Sequence, residues 1–415
     1  MKSILIITSF LPYPIHSGGE QAQYNMIKAL RKTCKIGIIF PLNRDNRPAD
    51  VEALSSLWPE VRLFPFPLRS QYTHLPFLIQ KAKRFLYKKS SLFHKVPLVK
   101  DALDQTDFVT SKAYLDFVNK AIVETKPDII QVEFIQNLNI GDLLPHDIKK
   151  IFVHHEIGFV MADRMLRNIP LTIKQKKKKE QKKHIEITRL NHYDGIITLT
   201  ETDRDILVKS GVKPPIYVSP AAVNTKEREY DGWNGQIVFV GGYHHRPNQE
   251  GMDWFLREVT PCIAWNKYPQ TQLKIVGLGW PTSYERDYNG LTVHLTGYVD
   301  DLSEHVSRTI MIVPLLTGSG MRMKILDAAA LSVPFVSTSV GAEGLDFSDG
   351  NTCMIADSAS EFAKALEKLM DDYSFRETIA RKAHNLFKEK YSLDSLVERR
   401  KIIYQTLLSS IESGI

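Results

Sequence analysis

Thr317-Gly-Ser-Gly-Met-Arg-Met-Lys-Ile-Leu-Asp327 runs on through Ala328–Leu331 to Pro334-Phe-Val-Ser-Thr338. A glycine-flanked turn opens a helix that carries Arg322, Lys324 and Asp327, and a short apolar strand follows it. At a helix start the free backbone N–H groups and the positive end of the dipole already favour an anion. Two cations in that first turn therefore point to a ligand with more than one negative charge, and a nucleoside diphosphate fits. The plain alternative is a solvated helix start with incidental basic residues.

The same turn–helix–strand rhythm extends through most of the chain. Short apolar runs alternate with amphipathic helical patterns, which predicts an α/β architecture with parallel sheets. In the first half, strands are expected at Ile4–Thr8, Ile36–Phe40, Val61–Phe64, Ile129–Val132, Ile151–His154, Gly195–Leu199 and Ile216–Val218. The first helix is expected from Gly19-Glu20, with Ala22, Met26, Ile27 and Leu30 at the helical period. A second series follows the loop Asn224–Asn234, with strands at Ile237–Val240, Leu273–Val276, Val293–Leu295, Ile310–Val313, Phe335–Ser337 and Thr352–Ile355. Helices are expected at Asn248–Trp254, Asp301–Ser307, Gly320–Leu331, Ser360–Met370, Phe375–Glu389 and Leu393–Ile411. Each series reads as a doubly wound domain, with ligands at the carboxyl ends of its strands. The expected division is residues 1–224, residues 225–392, and a last helix over 393–415 packing back on the first domain. A cleft between two such domains is a common kind of ligand site.

Size and composition agree. A chain of 415 residues exceeds one ordinary core. Its 43% hydrophobic and 24% charged content is that of a water-soluble globular protein. Cys34, Cys262 and Cys353 are far apart, with neither a disulfide framework nor metal spacing, so a reducing compartment is expected and no structural zinc. No run of eighteen apolar residues suggests a membrane span. Met1–Pro12 reads as a first strand rather than a secretion signal, and the expected location is cytoplasmic.

Four loops offer chemistry. Phe10-Leu-Pro-Tyr-Pro-Ile-His-Ser-Gly-Gly-Glu20 places Gly18 and Gly19 before a helix, where backbone N–H groups can approach an anion or a sugar. Ile151-Phe-Val-His-His-Glu-Ile-Gly158 puts His154 and His155 at a strand end. Neighbours on a strand face opposite ways, so spacing alone leaves open which of the two faces a site. Phe239-Val-Gly-Gly-Tyr-His-His-Arg-Pro-Asn248 sets Asn248 near a helix start, with Pro247 suited to the first turn. Gly341-Ala-Glu-Gly-Leu345 gives a permissive backbone with one carboxylate, Glu343. No G-x-G-x-x-G fingerprint, Walker lysine loop, H-E-x-x-H or nucleophile elbow occurs. Val276-Gly-Leu-Gly-Trp280 lacks the third glycine of a dinucleotide fingerprint.

Taken in order, these segments resemble the retaining glycosyltransferases of family 4 (glycosyl transferases group 1), which have the GT-B fold of two Rossmann-like domains. The closer match is in the second half: Phe239-Val-Gly-Gly, Arg246-Pro-Asn248, Lys274-Ile-Val-Gly277, Leu295-Thr-Gly-Tyr-Val299, Gly318–Asp327 and Ser337–Leu345. In the first half, Pro12–Gly19 looks like the family's glycine-rich first loop and His155-Glu-Ile-Gly158 like its histidine loop. The resemblance implies a nucleotide-sugar donor bound mainly by the second domain and a glycan or lipid-linked acceptor held by the first. It implies that Arg322 and Lys324 neutralise the leaving diphosphate without a metal, and that His155 contacts the donor sugar. It gives Asp327 the place of a glutamate that bonds the ribose. Ser319 stands where the family has a second glutamate, so the sugar contact falls to Ser319 and the backbone of Gly320 and Met321. Retention then follows from same-face substitution, with the departing phosphate helping to accept the acceptor's proton. No other cofactor is implied.

The formal net charge of +7 is concentrated in two places, Lys81–Lys95 and Lys174–Lys183. Lys174–Lys183 has no interleaved aromatics and no known binding module around it, so no nucleic-acid partner is expected. A solvated helix face is one reading; attraction to anionic lipid headgroups at the inner face of the cell membrane is the other, with Phe85, Leu86, Tyr87 and Phe93 beside the first cluster. Two further functions compete with transfer: a nucleotide-sugar epimerase, for which Asp327 and Glu343 are the obvious acid/base candidates, and a non-catalytic nucleotide-sugar-binding module, suggested by Ser319.

Overall fold

A computed structural model describes residues 1–15, 17–42, 48–67, 102–103, 111–167, 169–299, 301–318 and 320–409. Ser319 and the cluster Lys81–Lys95 lie outside the described residues. The chain forms two compact units. One comprises Met1–Ser219 with Arg399–Ile415, and the other Pro220–Glu398.

The first unit is built on β1 (Lys2–Ile7), β2 (Cys34–Leu42), β3 (Arg62–Pro67), β4 (Ile129–Glu133), β5 (Lys149–His154), β6 (Gly195–Thr198) and β7 (Ile216–Val218). They form one parallel sheet in the order β3-β2-β1-β4-β5-β6-β7. Every residue of β4 and of β6 is buried, because a parallel sheet is covered on both faces. That is why its strands read as near-continuous apolar runs. Strand order reverses between β1 and β4, which makes their carboxyl ends the expected ligand crevice.

The second unit uses β8 (Gln236–Val240), β9 (Gln272–Val276), β10 (Asp287–Tyr288), β11 (Leu291–Gly297), β12 (Ile310–Val313), β13 (Phe335–Ser337) and β14 (Met354–Ile355). The order is β10-β11-β9-β8-β12-β13-β14, parallel except for β10, and the reversal falls between β8 and β12. Phe239, Phe255, Phe362 and Trp265 pack in its core. The strand β10 has no counterpart in the sequence reading. It pairs with β11 across Asn289-Gly290, both at positive φ (56° and 97°), the geometry of a two-residue hairpin turn.

One expected helix starts late. Gly318 and Gly320 have φ of 121° and 74°, outside the right-handed helical region, so the helix begins at Met323 rather than Gly320. Arg322 is its N-cap, and Lys324 alone of the two cations lies inside the first turn.

Candidate active site

In the second unit, the loops that follow β8, β9, β12 and β13 hold the predicted residues. Gly241 and Gly277 let the first two loops touch. A Cβ on Gly277 would stand 2.3 Å from the Gly241 carbonyl oxygen, and one on Gly241 would stand 2.6 Å from Asn248 Nδ2. Asn248, buried at the start of the helix Arg246–Trp254, donates through Nδ2 to the Gly242 carbonyl at 2.9 Å. Its Oδ1 accepts from Lys324 Nζ at 2.9 Å. The ammonium also lies 4.2 Å from the centroid of the Phe239 ring. A neutral amide and a ring face do not cancel its charge. Desolvation, helped by the nearby Arg322 guanidinium, pulls the Lys324 pKa down to about 7.

Arg322 is 7% exposed. Its guanidinium turns back over its own loop, donating to the carbonyls of Gly320 and, at 3.3 Å, Val340. A Cβ on Gly318 would come within 3.3 Å of Arg322 Nη2, so the glycine leaves room for the guanidinium. Val340 belongs to the short helix Ser339–Ala342, and Glu343, partly exposed, caps its C-terminus. The site thus gathers Arg322, Lys324 and Asn248, with the backbones of Gly241-Gly242, Gly318 and Gly320 around them. Asp327 is 3% exposed, one turn deeper, and accepts a hydrogen bond from the Thr225 hydroxyl. Met321 Sδ accepts from the Ala221 N–H at 3.3 Å. Among the described residues no three His, Cys, Asp or Glu side chains gather as a metal site.

In the first unit the two histidines separate cleanly. His154 is buried, with Nε2 3.0 Å from Glu186 Oε1. The same carboxylate accepts from the N–H groups of Gly158 (2.9 Å) and Phe159 (3.0 Å), at the start of the helix Gly158–Leu166. His154 and Glu186 therefore serve the fold. His155 instead has Nε2 2.6 Å from Glu133 Oε2, and its ring stacks on Phe134 at 4.0 Å and 9°. A Cβ on Gly19 would sit 3.4 Å from Phe134 Cε1. Phe134 thus joins two predicted features, the glycine loop and His155. Gly18 and Gly19 themselves form the first turn of the helix Gly18–Leu30, whose Ser17 cap accepts from the Glu20 N–H at 3.3 Å.

Sequence reasoning missed Gln131, Glu133, Phe134 and Glu186. The one available sign was a glutamine and a glutamate in Ile129-Ile-Gln-Val-Glu133, a strand otherwise apolar. Polar groups in such a strand must be hydrogen-bonded, which marks them as members of a buried network.

Known proteins bear on this geometry. Residues 234–372 match the family described as Glycosyl transferases group 1, a span that covers the whole cation site. The chain is 27% identical over 208 residues to an "Uncharacterized 44.6 kDa protein in cps region" of Klebsiella pneumoniae. That match takes in 48% of this chain and 53% of the other, about half the relative's length. Among solved structures it is similar to sucrose-phosphate synthase from Thermosynechococcus elongatus, with TM-score 0.71, 15% identity, and 99% and 100% of the two chains covered. It is also similar to Alr3699/HepE of Anabaena in complex with UDP, with TM-score 0.66, 13% identity, and 98% and 100% covered. A further structure of that protein holds UDP-glucose. The fold is GT-B, and the resemblance to group 1 glycosyltransferases is found in the second unit.

Proposed function

We propose that this chain, whose second unit carries the group 1 glycosyl transferase module, is a retaining, metal-independent glycosyltransferase of family 4. It moves a hexosyl group from a nucleotide-diphosphate sugar to a glycan or lipid-linked acceptor. The observation that carries the reading is the pairing of Arg322 with a desolvated Lys324 at the carboxyl ends of β8 and β12. Preorganised cations in a water-poor site stabilise charge as it develops on a leaving diphosphate. UDP bound to a protein of the same fold is consistent with such a donor. An epimerase needs a carboxyl group available for proton transfer; Asp327 is buried against Thr225, which leaves Glu343 as its candidate.

Thermal shift across UDP-, GDP- and dTDP-sugars tests the donor class. One of them at about a hundredfold excess over Kd should stabilise the fold by about 2.7 kcal/mol. The shift should shrink in Lys324→Met, and an undiminished shift there contradicts the assignment of the site.

The protonation of Lys324 gives a second expectation, with a definite sign. In the free protein it loses its proton near pH 7, and a bound diphosphate favours the charged form. Above pH 7, donor binding is therefore coupled to proton uptake, and affinity should fall by up to about tenfold per pH unit. Calorimetry at pH 8 in two buffers of different ionisation enthalpy should read up to one proton taken up, and none in Lys324→Met.

Anionic membrane attachment is the proposed route to a lipid-linked acceptor. Within the helix Ile173–Leu190, Lys179 pairs with Asp163 at 2.7 Å, while Lys182 Nζ donates to the Ala102 carbonyl at 2.9 Å. Lys174, Lys176 and Lys177 are exposed beside Ile173, which is 88% exposed. No described helix is long and apolar enough to cross a membrane. Co-sedimentation with anionic liposomes should fall severalfold when these three lysines become glutamine. Absence of binding by the native protein would end this part of the proposal.

A further inference from the structure

Beneath His155 the buried polar groups of the first unit form one directed chain. Tyr404, in the helix Leu393–Ser409, donates its hydroxyl to Gln131 Oε1 at 2.6 Å. Gln131 Nε2 lies 2.5 Å from Glu133 Oε1 and 3.5 Å from Met26 Sδ. Glu133 Oε2 then lies 2.6 Å from His155 Nε2. Gln131 and Glu133 are fully buried and Tyr404 is 1% exposed. Arg400 is bonded to the Tyr404 hydroxyl and donates through Nε to Ser219 Oγ at 3.0 Å.

The polarity of this chain is set at its far end. Burial pushes the Tyr404 phenol up to about 12, so it remains a proton donor throughout the neutral range. A donating phenol draws the Gln131 carbonyl oxygen toward itself and turns the amide NH2 toward Glu133. Glu133 then accepts on Oε1, and as a carboxylate it can only accept on Oε2 as well. His155 must supply that second proton from Nε2, which leaves Nδ1 of a neutral ring with its lone pair. Stacking on Phe134 fixes the plane of the ring; Glu133 fixes which edge points away from the core.

We propose that Glu133 is a positioning residue, held by Gln131 and Tyr404, which fixes His155 as the Nε2-protonated tautomer so that Nδ1 accepts a hydrogen bond from a sugar hydroxyl. The sugar rests on the glycosyltransferase reading; the tautomer does not. The last helix thereby supports the site through a chain of four hydrogen-bonding groups, from Tyr404 through Gln131 and Glu133 to His155.

Long-range proton–nitrogen correlation spectra of histidine-labelled protein read the tautomer directly. The native protein should show His155 protonated on Nε2. Glu133→Gln should lose that single tautomer, and Tyr404→Phe, which removes one hydroxyl and keeps the ring, should show a mixture. In a transfer assay kcat should fall about 10- to 100-fold in Glu133→Gln and severalfold in Tyr404→Phe, with donor KM little changed. A merely structural role would lower stability without moving the tautomer. An Nδ1-protonated His155 in the native protein overturns the proposal, as does a tautomer unmoved in the folded Tyr404→Phe protein. If the tautomers behave as stated but the native protein transfers no sugar, the functional reading fails and the positioning stands. If sugar is transferred and both variants keep the native kcat, the positioning role falls and the functional reading stands.

Discussion

Replacing Arg322 with Ala, or Lys324 with Met, is expected to lower turnover about 100- to 1,000-fold while leaving the protein folded. Both cations stand at the carboxyl ends of the strands, and neither belongs to the apolar core of the second unit. Their loss should act on the step in which charge gathers on the leaving diphosphate, so kcat falls more than donor KM rises. Lys324→Met carries an independent signature. The folded protein holds this lysine's pKa down from 10.5 to about 7, so folding works against its charge below pH 10. The unfolded chain therefore binds more protons than the folded one between pH 7 and 10.5, and this residue's contribution to stability rises with pH across that window. Its penalty is fully present below pH 7. A Met variant should thus melt higher than the native protein at pH 6.5 while being nearly inactive. Near-normal transfer by either variant would remove the diphosphate grip from the account.

Glu186→Ala is expected to be the most damaging single change to the first unit. It leaves His154 Nε2 and the N–H groups of Gly158 and Phe159 without their acceptor in a buried place. Each such orphan costs about 1–3 kcal/mol, so the sum is roughly 3–5 kcal/mol after partial relaxation. Thermal unfolding should begin on the order of 10 °C lower. Glu186→Gln, which keeps an oxygen acceptor at similar volume, should lose less. A melting temperature within about 2 °C of native for the alanine variant would show that the carboxylate does not hold this helix start.

That carboxylate also shows where sequence reading stopped. Glu186 sits in a helix that opens with Lys174-Gln-Lys-Lys-Lys-Lys179, and the cations drew attention while the buried carboxylate did not. The strands were legible because parallel sheets buried on both faces demand uninterrupted apolar runs. Ile237–Val240 and Ile310–Val313 announce themselves in that way. β10 did not, since two residues form no pattern, although Asn289-Gly290 was the available turn cue. The helix start at Met323 was displaced by the positive φ of Gly320, which glycine permits but does not require. In the second unit the cation pair and Asn248 were legible as residue types at loop ends. In the first, the choice between His154 and His155 depended on partners 32 and 22 residues away. Spacing cannot see partners brought in by sheet order, and the same limit hid Glu133, which reaches His155 because β4 lies beside β5.

Product analysis is the most direct test of the central claim that this chain transfers a sugar from a nucleotide-diphosphate donor held by Arg322 and Lys324. Purified protein is incubated with UDP-, GDP- and dTDP-sugars, with and without a glycan acceptor, and both nucleotide and sugar are followed. The account predicts free nucleoside diphosphate, with the sugar moved to acceptor or slowly to water, in the native protein but not in Lys324→Met. An altered sugar still joined to its nucleotide, or binding with no release from any donor in the presence of acceptor, would contradict it.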